Sequence, residues 1–228
     1  MAITQTPLDS GADTAVGSSA VTNSFTTVDT RLTVLNVAAH PSGGPRIPTV
    51  SGWTLIEDND YDPAATGQVC AKFGRIASGT GTHTIDFAGE NQEDIVWSVS
   101  EYDGVDVSAG VANAWIQAVT AAGSGANPSV TLAAFGDVDN ATIGLVSGVD
   151  GLGAITEGAG FAEIHELASG TLIRMESQWR ADNDTSVTWT AAAAVWGAIG
   201  VELRDAGEPP PPEMIFTDNI ILMAQACL

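Results

Sequence analysis

The sequence predicts an all-β protein, and three observations carry that prediction. Gly, Ala, Thr, Ser and Val are abundant, and this composition favours strands and tight turns over helices. Apolar and polar residues alternate with a period of two along many short stretches. Segments rich in Gly, Pro, Asp and Ser separate those stretches, as turns do. The expected architecture is a two-sheet β-sandwich with jelly-roll-like topology.

The chain opens with small polar residues, which predict an N-terminal arm over residues 1–23 outside the core. The alternating pattern begins at Ser24. In the stretch 68–76, Val69, Ala71 and Phe73 are predicted to face the core, with Lys72 on the other side. The strands predicted in this half are 31–39, 52–57, 68–76, 84–88 and 94–102.

The second half repeats the same series after roughly a hundred residues, which indicates a weak internal duplication. Its predicted strands are 114–120, 141–149, 161–167, 171–180, 186–190 and 195–203. By alternation, Arg174, Glu176, Gln178 and Glu202 are expected to point outward. The period-two pattern ends at Gly207, so the predicted β-sandwich domain spans residues 24–207.

The C-terminal segment has a different character. Four consecutive prolines predict a stiff polyproline II spacer over residues 208–213. An apolar tail follows over residues 214–228, and it is predicted to dock on a partner. The alternative is that the tail adds an edge strand to its own sheet. The docking residues are expected to be Met214, Ile215, Phe216, Ile220, Ile221 and Leu222.

The charge balance limits the partners of this protein. Asp and Glu total 28 against 7 Lys and Arg, so the formal net charge is −21. Such a surface repels phosphate backbones and anionic lipids, which argues against nucleic-acid and membrane partners. The two cysteines, Cys70 and Cys227, form neither a disulfide framework nor a zinc pattern. The first residues lack a charged start and an apolar stretch, so synthesis in a cytoplasm is expected.

The sequence shows no enzymatic motif. The three histidines are not spaced as zinc ligands, and no nucleophile elbow or phosphate-binding loop is present. No enzymatic activity and no cofactor are therefore predicted. Asp58, Asp60 and Asp62 are candidate calcium ligands at alternate positions, although a solvated acidic turn is the favoured explanation. Trp53, Trp97, Trp179 and Trp189 are expected in the core, while Trp115 and Trp196 are expected to be more exposed.

Four segments carry a resemblance to a known family. They are RLTVLNVAAH, GWTLIEDND, THTIDFAG leading into DIVWSVSEYDGVD, and TSVTWTAAAAVWGAIGVELRDAG. On these segments, from about residue 24 to residue 207, the chain resembles a β-sandwich module of tailed-bacteriophage virion structural proteins. These motifs determine a fold and carry no catalytic residues.

The resemblance implies a non-enzymatic accessory protein on the outside of the virion, as a capsid decoration (cement) protein or a minor tail protein. Its expected partners are other virion proteins and copies of itself, with a trimer as the expected oligomer. Two alternatives stay open. The first is a carbohydrate-binding adhesin or tail-fibre receptor-binding module. The second is a glycan lyase or hydrolase that uses convergent carboxylates and His165.

Overall fold

The computed structural model describes residues 2–44, 46–61, 67–170 and 172–207, and nearly all of its regular structure is β. The predicted all-β class is therefore confirmed. The strands of the first half are β1 (Thr4–Asp13), β2 (Ser19–Val21), β3 (Phe25–Thr27), β4 (Leu32–Pro41), β5 (Thr49–Val50), β6 (Thr54–Tyr61), β7 (Gln68–Arg75), β8 (Gly79–Gly81), β9 (Thr84–Asp86) and β10 (Gln92–Asp103). Those of the second half are β11 (Trp115–Gly123), β12 (Ser129–Thr131), β13 (Ala141–Gly148), β14 (Thr156–Glu157), β15 (Ala162–Ser169), β16 (Ile173–Arg180), β17 (Ser186–Thr190) and β18 (Trp196–Leu203).

The two halves share the topology of their two larger sheets, and the first half has an additional two-stranded sheet, β3-β8. A large antiparallel sheet in the first half has the order β1-β10-β4-β7-β6, and one in the second half has the order β11-β18-β13-β16-β15. Position by position, β1, β10, β4, β7 and β6 of the first sheet correspond to β11, β18, β13, β16 and β15 of the second sheet, and the corresponding strands follow one another in the same order along the chain. The smaller sheets β2-β9-β5 and β12-β17-β14 match in the same way. The predicted internal duplication is thus confirmed at the level of topology, and we call the two halves the first and second repeat.

The sheets stack in four layers. Each small sheet covers the outer face of the large sheet of its own repeat, as in the contact of Ile85 and Phe87 with Leu35. The inner faces of the two large sheets pack against each other and enclose a central core. The residues of that core include Val34, Val96, Ile143 and Ile199, each 0 % exposed. Both faces of both large sheets are therefore covered.

The contact between the repeats has the pattern of a two-fold relation. Strand β1 lies over β15, and β6 lies over β11. Because β1 matches β11 and β6 matches β15, these two contacts are equivalent. The same surface of each repeat is used on both sides, as in an isologous dimer interface.

The predicted wiring differs from the observed one. A single two-sheet sandwich over residues 24–207 would distribute the strands of the whole chain over two sheets. Instead, each large sheet takes all five of its strands from one repeat. The jelly-roll-like topology is therefore not confirmed. The period-two pattern places side chains on alternate faces of a strand, and it carries no information on which strands pair.

The predicted N-terminal arm is a second correction. Residues 4–13 form the edge strand β1, which pairs with β10 from Thr4 opposite Asp103 to Asp13 opposite Ile95. Ile3 is 1 % exposed and belongs to the central core. Without β1, strand β10 would be the open edge of its sheet. Backbone hydrogen bonds to β10 hold residues 4–13 in place, although the side chains of this segment show no apolar alternation.

Four polar residues predicted to point outward are buried. Lys72 and Glu202 are 1 % exposed, and Glu176 and Gln178 are 0 % exposed. Alternation assigned them correctly to the face opposite their apolar neighbours, but that face is covered by another sheet. The predicted spacer over 208–213 and the predicted docking tail over 214–228 lie outside the described residues.

Candidate functional site

A chain of polar side chains crosses the central core, and we call it the central polar cluster. It consists of Lys72 on β7, Asn36 on β4, Ser98 on β10 and Ser177 on β16. Lys72 Nζ donates to Asn36 Oδ1 at 2.7 Å, and Asn36 Nδ2 donates to Ser98 Oγ at 3.1 Å. Ser98 Oγ lies 3.2 Å from Ser177 Oγ, so the cluster joins the two repeats.

The electrostatics of this cluster centre on Lys72, the only lysine of the chain. Burial lowers the pKa of Lys72 from 10.5 to about 7. Burial also raises the pKa of the Cys70 thiol, which lies two residues away on the same face of β7. Burial therefore favours the neutral amine of Lys72, beside a neutral thiol.

Glu176 is a second buried titratable group, on the opposite face of β16. Its Oε2 accepts a hydrogen bond from the Trp189 indole N–H, and its Oε1 is buried and has no hydrogen-bond partner among the described residues. Burial raises the pKa of Glu176 well above its ordinary value of 4.5, and the charges of Glu163 and Glu157 act in the same direction. The Trp189 hydrogen bond opposes the shift. The protonated form is the one that this environment favours.

Two surface clefts flank the end of the second repeat, on either side of residues 205–207. One has a volume of about 420 Å³ and is lined by Thr30, Val105 and Val107 among others. The other has a volume of about 430 Å³ and is lined by Ile116, Asp137 and Arg204 among others. Between the two clefts, the backbone N–H of Asp106 donates a hydrogen bond to Arg204 O at 2.9 Å. Asp106 lies in the segment that connects the two repeats, so this bond fixes that segment to the end of β18.

Two of the three predicted calcium ligands, Asp58 and Asp60, lie in a strand and not in a loop. Asp58 and Asp60 belong to β6, opposite Ala71 and Val69, and Asp62 lies outside the described residues. Burial and the neighbouring Asp58 raise the pKa of Asp60. Within the described ranges, no group of three or more His, Cys, Asp and Glu side chains could hold a metal ion.

The three histidines lie on different elements, with His40 in β4, His83 just before β9 and His165 in β15. His40 Nδ1 lies 3.5 Å from Glu93 Oε2, and His165 is half-buried on β15. His83 belongs to a half-buried aromatic group, with its ring centroid 5.3 Å from that of Trp53. The Arg75 guanidinium lies 5.8 Å from the centre of the same Trp53 ring.

The tryptophans follow the sequence prediction only in part. Trp97 and Trp189 are buried as expected, whereas Trp53, Trp115 and Trp179 are half-buried. Trp196 was expected to be more exposed, but it is only 9 % exposed. Its ring lies over Gly123, which has no side chain to occupy that space, and its indole N–H donates to Gly125 O at 3.0 Å.

Asn36 was not selected from the sequence, although a signal was present. It interrupts the apolar run 34–39 of β4, just as Lys72 interrupts the apolar run 69–73 of β7, the strand that pairs with β4. Two polar residues inside two buried strands are expected to be partners, because buried polar groups need hydrogen bonds. The predicted docking residues Met214, Ile215, Phe216, Ile220, Ile221 and Leu222 lie outside the described residues.

No helix among the described residues is long and apolar enough to cross a membrane. Comparison of the chain with protein-family models, curated proteins and solved structures found no match.

Proposed function

We propose that this protein is a non-enzymatic structural component of a tailed-phage particle, an accessory outer protein of the capsid-decoration or minor-tail type. The observation that supports this most is the face-to-face packing of two repeats around one continuous apolar core. Its partners on the particle are other virion proteins and further copies of the same chain, and a trimer is the oligomer we propose.

The four-layer packing suits a mechanical role. Each large sheet is buried on both faces, so its strands cannot separate without exposing two cores at once. The formal net charge of −21 suits a protein held at high local concentration, since like charges keep neighbouring surfaces apart outside the specific contact. The edge strands of the large sheets offer backbone groups for strand addition by a neighbour.

The first test is mass spectrometry of purified particles from the source, with the copy number of this chain per particle. Hundreds of copies would support a decoration protein or a repeated tail component, and a handful would support a tail-tip or fibre part. Complete absence of the chain from the particles would contradict the proposal.

Anchoring through the apolar segment 214–228 has its own test. One variant ends at Gly207, and a second keeps residues 208–213 but replaces 214–228 with Gly and Ser over the same length. We expect both variants to fold and both to be missing from particles, because only the apolar side chains have been removed in the second. Normal incorporation of either variant would contradict the anchor.

A carbohydrate-binding module is the second candidate. Trp53 favours it, because a half-buried indole beside His83 and under Arg75 has the composition of a sugar-stacking surface. If this is the function, Trp53→Ala should abolish binding on a glycan array, while Trp179→Ala, at the half-buried indole in the central core, should bind as the parent does. Equal binding by both variants would contradict the candidate.

A further inference from the structure

Lys72 and Asn36 are direct partners across two neighbouring strands. They face each other in the antiparallel register of β4 and β7, and each is 1 % exposed. Lys72 Nζ lies 2.7 Å from Asn36 Oδ1, and the next atom beyond that oxygen is the amide carbon Cγ. The amine therefore lies beside the carbon of a primary amide, in a site closed to water.

A charged lysine is poorly supported at this position. An ammonium group has three hydrogen-bond donors, and Asn36 Oδ1 is the one acceptor that the described residues provide for it. A buried charge without an ion-pair partner is costly, so the neutral amine is favoured. Burial lowers the pKa of Lys72 to about 7, so a nucleophilic amine is available at neutral pH.

We propose that Lys72 and Asn36 form an intramolecular isopeptide bond. In this step Lys72 Nζ attacks Asn36 Cγ, the Nζ–Cγ bond forms, and the Cγ–Nδ2 bond breaks. One hydrogen of the attacking amine passes to Nδ2, which leaves as ammonia. No oxidant, reductant or other reactant is consumed. This inference does not depend on the function proposed above.

The rest of the central polar cluster has a role in the proton transfer. Ser98 Oγ lies 3.1 Å from the leaving nitrogen Nδ2, and Ser177 Oγ lies 3.2 Å from Ser98 Oγ. As Nδ2 becomes an amine in the tetrahedral intermediate, the Ser98 hydroxyl donates a proton to it and takes one from the former lysine. Ser98 acts as a proton relay that Ser177 orients.

The geometry also accounts for the reaction of an otherwise stable amide. Two reacting groups that a protein holds in the right geometry react as if one were present at an effective concentration of about 10⁵ to 10⁸ M. This effect offsets much of the free-energy barrier of a slow bimolecular step. The product is an uncharged amide with a single N–H in place of an ammonium group. The bond therefore leaves position 72 without a group that could carry a charge in the core.

The first test uses the fact that Lys72 is the only lysine. A lysine-specific endoprotease should cut the denatured unmodified chain once, after Lys72, and it cannot cut after an acylated lysine. We expect the denatured parent protein to remain one chain, with an intact mass about 17 Da below the sequence mass, the mass of one ammonia. Two fragments and the full sequence mass would overturn the proposal.

Two variants at position 36 identify the acyl donor. Asn36→Leu cannot react, so it should be cut after Lys72 and show its full mass. Asn36→Asp can lose water instead of ammonia, so its mass deficit should be about 18 Da, with the chain again resistant to the protease. A parent chain that has lost ammonia but is still cut after Lys72 carries a succinimide elsewhere, and that result would also overturn the proposal. The parent measurement is decisive even if neither variant folds.

Discussion

At the scale of single residues, the buried carboxyl of Glu176 links the stability of this protein to pH. The group is 0 % exposed, one of its oxygens has no hydrogen-bond partner in the part of the chain that the structure describes, and burial raises its pKa. Between the ordinary pKa of 4.5 and the raised value, the folded state holds a proton that the unfolded state releases. Stability is therefore highest at low pH within this window and falls as the pH rises through it.

The variant Glu176→Gln tests this linkage, because glutamine has nearly the same shape and stays neutral. We expect the free energy of unfolding of the variant, relative to that of the parent protein, to rise with pH by up to about 1.4 kcal/mol per pH unit where Glu176 titrates, because the fall that this group contributes is lost. The measurement is denaturant unfolding from about pH 5 to about pH 9. The exposed control Glu90→Gln should keep the slope of the parent. The same slope in Glu176→Gln would rule out this linkage.

At the scale of strands, close cross-strand pairs of glycine and tryptophan join the edge strands to their neighbours. Gly11 on β1 lies opposite Trp97 on β10, and Gly123 on β11 lies opposite Trp196 on β18. A Cβ atom on Gly123 would come within 2.7 Å of Trp196 Cζ2. The absence of a side chain therefore lets the indole lie flat over the edge strand.

Gly123→Ala should destabilise the fold by about 1 to 3 kcal/mol, because a rigid, buried indole must move. The matched control is Gly125→Ala, where an added Cβ would meet no atom within 4 Å. Thermal unfolding with tryptophan fluorescence measures both effects. Equal melting temperatures for the two variants would show that the indole adjusts without cost.

The pairing of β1 with β10 also gives different environments to Ile3 and Val16, two side chains that were both predicted to lie in an N-terminal arm. Ile3 is 1 % exposed, whereas Val16 is 65 % exposed. We expect Ile3→Ala to cost about 2 to 5 kcal/mol of unfolding free energy and Val16→Ala to cost almost nothing. Denaturant titration of both variants tests this. A negligible effect of Ile3→Ala would mean that the N-terminal segment behaves as the free arm that composition predicted.

At the scale of the whole molecule, the shared central core couples the two repeats. Residues of both repeats contribute to it, among them Leu32 and Val34 from the first and Ile143 and Leu145 from the second. A repeat expressed by itself would expose this face to water, and an apolar face of that extent leads to aggregation. The two repeats should therefore unfold together in one transition.

Separate expression of residues 2–109 and 110–207 tests the coupling. We expect each fragment alone to be unfolded or aggregated, and the two together to form a complex with the melting behaviour of residues 2–207 expressed as one chain. Calorimetry of that chain should show a single transition. Two soluble monomeric fragments, each with its own transition, would contradict the shared core.

Much of the fold could be predicted from local patterns. The strands containing Leu35, Trp97, Ile143 and Ile199 all lie where alternation and apolar runs placed them. Less of the candidate site could be predicted from the sequence. Lys72 was assigned to the correct face of its strand, yet its burial and its pairing with Asn36 were not predicted. Alternation shows which residues share a face, and it cannot show whether a second sheet covers that face.

The sequence by itself determined the all-β class, the position of most strands and the order in which they recur, because strand propensity and period-two alternation are properties of neighbouring residues. The tertiary structure alone decided how those strands divide between two repeats, why β1 is an edge strand, and that Lys72 meets Asn36 in the central core. These outcomes depend on the pairing and packing of strands that are far apart in the chain. Such contacts are set by the burial of whole sheet faces, which no local pattern records.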